Sequence, residues 1–333
     1  MEVESEVQWS EDFHVEKEDP QNTLAEIAFH ANHPDVITCT RSLIRYYTIQ
    51  NIMSPELLRA MKEPLPCTFR SNDSMRRNNT KGGGLMHPNE AVRSDILPNE
   101  TYVFNKTGRE LDESTRKRLT MLTKAGQISR QEIVSMVPVL MLDPIVRDVS
   151  RCLDMCASPG SKTTQLLENN PKLIVANDFS LKRASILSNR CRNRVRAEIS
   201  SRLVVTNHAA QVIPGEIKFD RIVCDVPCTG DGAIRKTPEL WRYWQPHLGL
   251  ELHSRQLQIA MRAARLLKIG GTMAYSTCSM NPIENEAVVW SLLKRCKGAL
   301  ELVDVSERCP NLKRCPGLMT WKVLNDECEE KNE

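Results

Sequence analysis

An α/β fold built on a doubly wound, mostly parallel sheet is predicted by three features of the sequence. From residue 151 onward, short apolar runs alternate with helix-length segments at the spacing of βαβ units. Several of those runs read as buried strands. Three of them open into loops that carry reactive or small residues, at the edge where open α/β sheets bind ligands.

The elements follow in order. Residues 1 to about 80 show weak periodicity, with a helix expected at Pro55–Lys62 and a flexible loop at Arg76–Gly84, where three glycines follow Lys81. Ser129-Arg130-Gln131-Glu132 reads as a capping box. It opens a helix whose apolar stripe is Ile133, Val134, Met136, Val137, Leu140 and Met141. Strands are expected at 151–155, 173–177, 202–206, 220–225, 272–277, 300–305 and 318–323, and helices at 162–169, 181–193, 249–268 and 283–296. Gly270-Gly271 is expected to end the third of these helices. Asn281 as cap, Pro282 at the first position and Glu284 closing a box should start the fourth.

Two thiols stand out. Cys228 ends Asp225-Val226-Pro227-Cys228, just after the run Arg221–Cys224, and Cys278 lies in Ser276-Thr277-Cys278-Ser279 after the run Thr272–Tyr275. A thiol activated by its surroundings attacks electrophilic carbon well, so two thiols on adjacent strand ends suggest nucleophilic catalysis. A third strand end opens into Cys156-Ala157-Ser158-Pro159-Gly160-Ser161-Lys162, whose backbone amides can face a ligand at a helix N-terminus. This loop is neither a G-x-G-x-x-G fingerprint nor a P-loop. Asp178 ends the next strand, where a carboxylate suits a ribose diol, or else serves as a helix N-terminal acid before Ser180.

Residues 129–324 closely resemble the Sun-type RNA cytosine-5 methyltransferases, and above all their eukaryotic tRNA-methylating branch. The resemblance rests on Cys156–Lys162, on Cys224-Asp225-Val226-Pro227-Cys228-Thr229-Gly230-Asp231-Gly232, and on Tyr275-Ser276-Thr277-Cys278-Ser279-Met280-Asn281-Pro282-Ile283-Glu284. Further echoes are Arg235-Lys236 before Trp241 and Trp244, Pro316-Gly317 before Trp321, and Glu63-Pro64-Leu65-Pro66 upstream. It implies a Rossmann-like class I S-adenosylmethionine-dependent methyltransferase domain with an N-terminal α+β extension. The cofactor would be held by Cys156, Ala157, Ser158, Pro159, Gly160, Ser161, Lys162, Asp178 and Asp225. Cys278 would add to carbon six of cytosine, Asp225 would hydrogen-bond the ring, Pro227 would orient the base and Lys162 would sit between cofactor and base. Cys228 would assist product release. DNA methyltransferases of similar chemistry use the thiol of the Pro-Cys motif as nucleophile, so the second thiol is what favours RNA.

Composition bounds the partners. At 333 residues, 41% hydrophobic and 26% charged, the chain is an ordinary globular one of about two domains. No apolar stretch approaches the roughly 20 residues of a membrane span. The twelve cysteines are scattered with no Cys-x-x-Cys, which supports neither a zinc site nor a disulfide framework. Cys39, Cys67, Cys152, Cys191, Cys224 and Cys296 are expected to be structural. The net charge is +3, with an acidic start over the first 26 residues. Basic clusters run from Lys106 to Arg130 and from Lys182 to Arg202, as a polyanionic substrate would need. The expected organisation is an acidic tail at 1–30, an RNA-recognition region at 31–125, the catalytic domain at 126–326 and a charged tail at 327–333. The expected protein is a soluble intracellular monomer, in the nucleus or nucleolus with the cytoplasm as the alternative, that acts on RNA, with tRNA favoured, away from membranes.

Two departures from the family pattern carry expectations of their own. The family's Asn-His-Asp-Ala, whose aspartate contacts the cofactor's adenine, reads Asn207-His208-Ala209-Ala210 here. Loss of a charged acceptor costs roughly 1.5–3 kcal/mol. Weak cofactor binding with retained activity is the favoured expectation, and a silent RNA-binding paralogue the rival. The family's RNA-binding module beyond the catalytic domain is not seen before Glu333, so the grip on substrate is expected to rest on residues 1–125 or on a protein partner.

Overall fold

The computed structural model describes residues 34–71, 90–97, 100–142, 145, 149–192 and 201–330. The acidic start, the glycine-rich loop at 76–84, and Arg194 and Arg196 of the second basic cluster lie outside the described residues.

Helix α1 (Pro34–Ile49) comes first, where the sequence reading had no element. Helix α2 (Pro55–Lys62) follows with its expected bounds, capped by Ser54, whose hydroxyl accepts from the Leu57 amide. A four-stranded antiparallel sheet is built from β1 (Thr68–Ser71), β2 (Ala91–Arg93), β3 (Thr101–Phe104) and β4 (Ile128–Arg130), in the order β2-β3-β1-β4, with α3 (Glu113–Lys124) between β3 and β4. Phe69 and Phe104 are fully buried in its core with Leu119 and Ile128.

The expected capping box does not form. Ser129 lies within β4, pairing with Arg70, and α4 (Ile133–Leu140) starts after Glu132, which makes no side-chain cap. Sheet pairing claims the backbone that a cap would need.

The larger sheet is parallel throughout: β5 (Arg151–Asp154), β6 (Leu173–Asn177), β7 (Leu203–Thr206), β8 (Phe219–Asp225) and β9 (Leu267–Ser276), in the order β7-β6-β5-β8-β9. Chain order reverses between β5 and β8, which opens a crevice at the carboxyl ends. Helices α5 (Ser161–Glu168) and α6 (Leu181–Arg192) carry the crossovers around β6. Later come the short α7 (Leu240–Tyr243), the long α8 (Pro246–Leu266) and α9 (Glu286–Cys296).

Successive strand residues point to opposite faces, and both faces are covered. Cys152 and Val223 pack with Leu166, Leu167 and Leu187 on one side. Leu153, Ile222 and Cys224 pack with Ile259, Ala263 and Leu266 on the other. Cys67, Cys152, Cys191 and Cys224 are buried, as expected of structural thiols.

Three boundaries differ from expectation. Gly270 and Gly271 sit inside β9 rather than after α8, because the strand starts at Leu267 and pairs with β8 through an irregular register. The helix expected at 283–296 begins at Glu286, since residues 282–285 form a turn. Residues 300–305 and 318–323 are not strands; Leu302 and Met319 are exposed there. No described helix is long and apolar enough to cross a membrane.

Candidate active site

Four strand ends along the crevice edge bring the functional side chains together. In spatial order these are Asp178 after β6, Asp154 on β5, Asp225 on β8 and Ser276 on β9. Asp225 and Ser276 are register partners, so their side chains meet: the Ser276 hydroxyl donates to Asp225 Oδ1 at 2.6 Å. Lys162, one residue into α5, donates to Asp225 Oδ2 at 2.8 Å and to Ser135 Oγ at 3.3 Å. This ion pair is half-buried, so its charges interact more strongly than a surface pair would.

Beyond these strand ends the two thiols meet. Cys228 Sγ lies 3.3 Å from Cys278 Sγ, and the Cys278 amide also points at Cys228 Sγ at 3.3 Å. Cys278 is exposed and Cys228 half-buried. Ionising the more exposed thiol costs less desolvation. The S–H of Cys228 stabilises the Cys278 thiolate, and Lys162 adds to this, holding Cys278 below the usual thiol range. Cys228 is correspondingly pushed up, by that same contact and by burial. Gly232 belongs to this geometry: its amide donates to the Cys278 carbonyl at 2.9 Å, and a Cβ there would lie 2.9 Å from that oxygen.

The thiols should therefore differ in reactivity. Iodoacetamide is expected to label Cys278 from a pH below the usual thiol value of about 8.5, and Cys228 only at higher pH. Peptide mass spectrometry across a pH series checks this; Cys228 labelled first would contradict it.

The Cys156–Lys162 loop turns from β5 into α5. Gly160 takes the left-handed conformation (φ 98°) at the helix N-cap, where no side chain caps the first amides. A Cβ on Gly160 would lie 2.8 Å from Leu187 Cδ1. Ser158 is buried and its hydroxyl has no hydrogen-bond partner. The Cys156 thiol is pushed up to about 12 by burial, so it is no nucleophile. Asp178, 4% exposed, accepts from the Ser158 amide at 3.2 Å and the Ser180 amide at 3.0 Å, so it braces the loop as well as starting α6. Asp154, which the sequence reading gave no role, is fully buried against Thr163 Oγ1, and burial raises its carboxyl to about 7. Uncapped helix amides, an unpartnered buried hydroxyl and a carboxylate on the neighbouring strand form a donor and acceptor set that fits a cofactor with an amino-acid carboxylate and a ribose.

Part of the second basic cluster has a different task from the one expected. Arg183 donates to Ser158 O at 2.8 Å and Arg190 to Pro159 O at 3.3 Å, so both hold the loop. Arg202 donates to Pro171 O at 3.0 Å. In the N-terminal region, Arg70 is 2% exposed and forms a two-pronged pair with Glu168 at 2.6 and 2.8 Å, tying β1 to the end of α5. Arg235 donates to Glu63 O at 2.7 Å, joining two of the segments on which the family resemblance rests.

Sequence reading missed Ser135 and Ser276, and it read Glu284 only as a helix-cap residue. Glu284 instead reaches across to Thr229, accepting from its amide at 2.9 Å and its hydroxyl at 2.8 Å. Among the described residues no cluster of His, Cys, Asp and Glu could hold a metal ion.

Residues 139–314, which contain the thiol pair, Lys162, Asp225 and the 156–162 loop, match the family model described as 16S rRNA methyltransferase RsmB/F. The chain belongs to this RsmB/F family. Among curated relatives, the multisite-specific tRNA (cytosine-C5) methyltransferase trm4b of Schizosaccharomyces pombe is 45% identical over 62% of this chain and 35% of its own length. The tRNA (cytosine(34)-C5) methyltransferase of Drosophila melanogaster is 35% identical over 86% of this chain and 45% of its own. The chain thus spans less than half the length of these relatives. A solved methyltransferase homologue from Pyrococcus horikoshii superposes with a TM-score of 0.57 at 26% identity, over 74% of this chain and 76% of that one. The RsmB/F fold here is accordingly the Rossmann-like one of S-adenosylmethionine-dependent methyltransferases, with Lys162 and Asp225 flanking its switch point and the thiol pair beyond the ends of β8 and β9.

Proposed function

We propose that this chain methylates carbon 5 of cytosine in RNA, with tRNA as the favoured substrate class and S-adenosylmethionine as methyl donor. The observation that carries the reading is the contact of two thiols, 3.3 Å apart, beside the Lys162–Asp225 pair at the crevice edge. Two thiols so placed suit a reaction in which one forms a bond to carbon and the other helps to break it.

Cys278, exposed and the more acidic of the two, is the nucleophile. Its sulfur bonds to carbon six of cytosine, and the ring electrons move toward carbon five. Asp225, held by Lys162 and Ser276, shares a proton with the third ring nitrogen and stabilises the adduct. Pro227 orients the base. When bound, S-adenosylmethionine would supply an electrophilic methyl group to carbon five, its sulfonium becoming a neutral thioether. The proton on carbon five then passes to a base, the step in which Cys228 assists. Its electron pair restores the ring double bond as the carbon–sulfur bond breaks and Cys278 departs as thiolate. The base must be unpaired or turned out of its stack to reach Cys278. The 156–162 loop, Asp178 and Asp225 would hold the cofactor, and the region at 31–125 would contact the RNA. Monomeric action in the nucleus or nucleolus completes the reading.

Incubation with labelled S-adenosylmethionine and unmodified tRNA transcripts, followed by bisulfite sequencing, tests it. New 5-methylcytosine is expected. Its absence with a folded, cofactor-bound protein would overturn the reading.

Ala209 offers a separate test. It stands at the start of the 3₁₀ turn Ala210–Val212, just beyond β7, with no side-chain cap. Ala209→Asp is expected to tighten S-adenosylmethionine binding about ten- to a hundredfold, the scale of one charged acceptor. Calorimetry measures this; an unchanged dissociation constant would show that the adenine is held without this position.

A further inference from the structure

Two buried carboxylates face each other's loops across the thiol pair. Asp231 belongs to the loop that carries Cys228, yet its Oδ1 accepts from the Met280 amide at 2.7 Å, in the loop that carries Cys278. Glu284 follows the Cys278 loop, yet it accepts from Thr229, the residue next to Cys228, through both amide and hydroxyl. Each loop therefore sends one carboxylate into the other. Both side chains are fully buried, and burial raises the pKa of each.

The outer contacts are equally specific. Asp231 Oδ2 accepts from Trp244 Nε1 at 2.9 Å and from the hydroxyl of Tyr47 on α1. Tyr46, one residue earlier, donates to Asn281 Oδ1 at 2.8 Å. Tyr46, Tyr47 and Trp244 form one aromatic cluster with ring centroids 5.2 to 5.6 Å apart. On the other side, Gln256 of α8 donates to Pro227 O at 2.9 Å and to Glu284 Oε1 at 3.4 Å. A buried carboxylate is costly, and well-packed apolar side chains would join two loops at less cost. What the carboxylates add is directional fixing of the two thiol loops to each other and to α1, α8 and Trp244.

We propose that Asp231 and Glu284 are positioning residues which clamp the Cys228 and Cys278 loops into the contact that catalysis uses, with α1 closing the clamp through Tyr47. This deepens the methyltransferase reading and rests on it for the catalytic consequence, but the clamp itself is a statement about thiol geometry. Every partner named for Asp231 is a donor: an amide, an indole N–H and a phenol. An asparagine would have to turn its NH₂ toward one of them, so Asp231→Asn loses a contact at nearly constant shape. A glutamine at 284 could keep the Thr229 amide and Gln256 on its carbonyl oxygen and donate to the Thr229 hydroxyl. Glu284→Met, which removes both acceptors at similar length, is therefore the informative change there.

The test reads geometry and rate separately. Phenylarsine oxide closes a ring on two thiols only when both sulfurs lie within its reach, and it needs neither RNA nor cofactor. The wild type is expected to chelate it through Cys228 and Cys278, mapped by peptide mass spectrometry. Asp231→Asn and Glu284→Met should each weaken chelation about tenfold. They should lower kcat for RNA methylation by about 10- to 100-fold, the cost of misplacing a reacting group by an ångström or less. KM for RNA and the cofactor dissociation constant should stay within about twofold, because both carboxylates are fully buried and accept from protein donors. Tyr47→Phe, which removes one hydroxyl, should shift both readouts in the same direction by less, and it replaces Asp231→Asn if that variant does not fold. Unchanged chelation and kcat in the folded variants would overturn the clamp, as would a rise in KM with kcat intact. Chelation lost in the variants, with no methylation even by the wild type, would sink the methyltransferase reading and leave the clamp standing.

Discussion

Cys228→Ala is expected to accumulate a protein–RNA complex that survives denaturing electrophoresis, while steady-state methylation falls by about 10²-fold or more, the range of lost acid–base assistance. The reasoning starts from the 3.3 Å contact between the two sulfurs. Without Cys228, Cys278 can still bond to carbon six, because Lys162 and Asp225 remain in place beside it. The release step then lacks its helper, so the adduct persists. A single-turnover experiment separates the two stages: methyl transfer should stay within about tenfold of wild type while product release stalls. A Cys228→Ala protein that neither traps RNA nor methylates would instead make Cys228 the nucleophile.

Cys278→Ala carries the larger loss. Removing the nucleophile should cut methylation by about 10⁴-fold or more, the scale seen when a covalent catalyst loses its attacking atom. Cys278→Ser should be nearly as poor, because a hydroxyl at neutral pH offers almost no anion where the depressed thiol does. Cofactor binding should be unchanged in both, since Cys278 is not among the residues proposed to hold the cofactor. Methylation by Cys278→Ala alongside an inert Cys228→Ala would reverse the two roles.

The candidate site was legible because its residues sit at strand ends, and strand ends are marked by period and turn chemistry in the chain. Asp225, Cys228 and Cys278 are each a few residues beyond an apolar run, so adjacency in the sheet could be inferred before the sheet was seen. The Lys162–Asp225 pair is 63 residues apart in sequence. No local pattern announced that pair; the family resemblance implied only that Lys162 lies between cofactor and base and that Asp225 meets the ring.

What was not legible depends on partners far along the chain. Glu284 resembles a helix-box residue locally, and only the fold, which sets the 282–285 turn beside the Cys228 loop, gives it Thr229 as partner. Ser129-x-x-Glu132 met the local rule for a cap, yet strand pairing with Arg70 took its backbone. Arginines 183, 190 and 202 looked like a nucleic-acid face by charge alone; their targets are backbone carbonyls that no composition reveals. Tyr46 and Tyr47 gave no signal, because their meaning lies in Asn281 and Asp231, some 180 or more residues downstream.

One measurement bears most directly on the central claim, that the Cys278 sulfur bonds transiently to a pyrimidine. Purified protein incubated with S-adenosylmethionine and tRNA containing 5-azacytidine should become covalently trapped, and digestion should place the nucleotide on Cys278. Folded, cofactor-bound protein that is never trapped, or is trapped only at Cys228, would contradict the account.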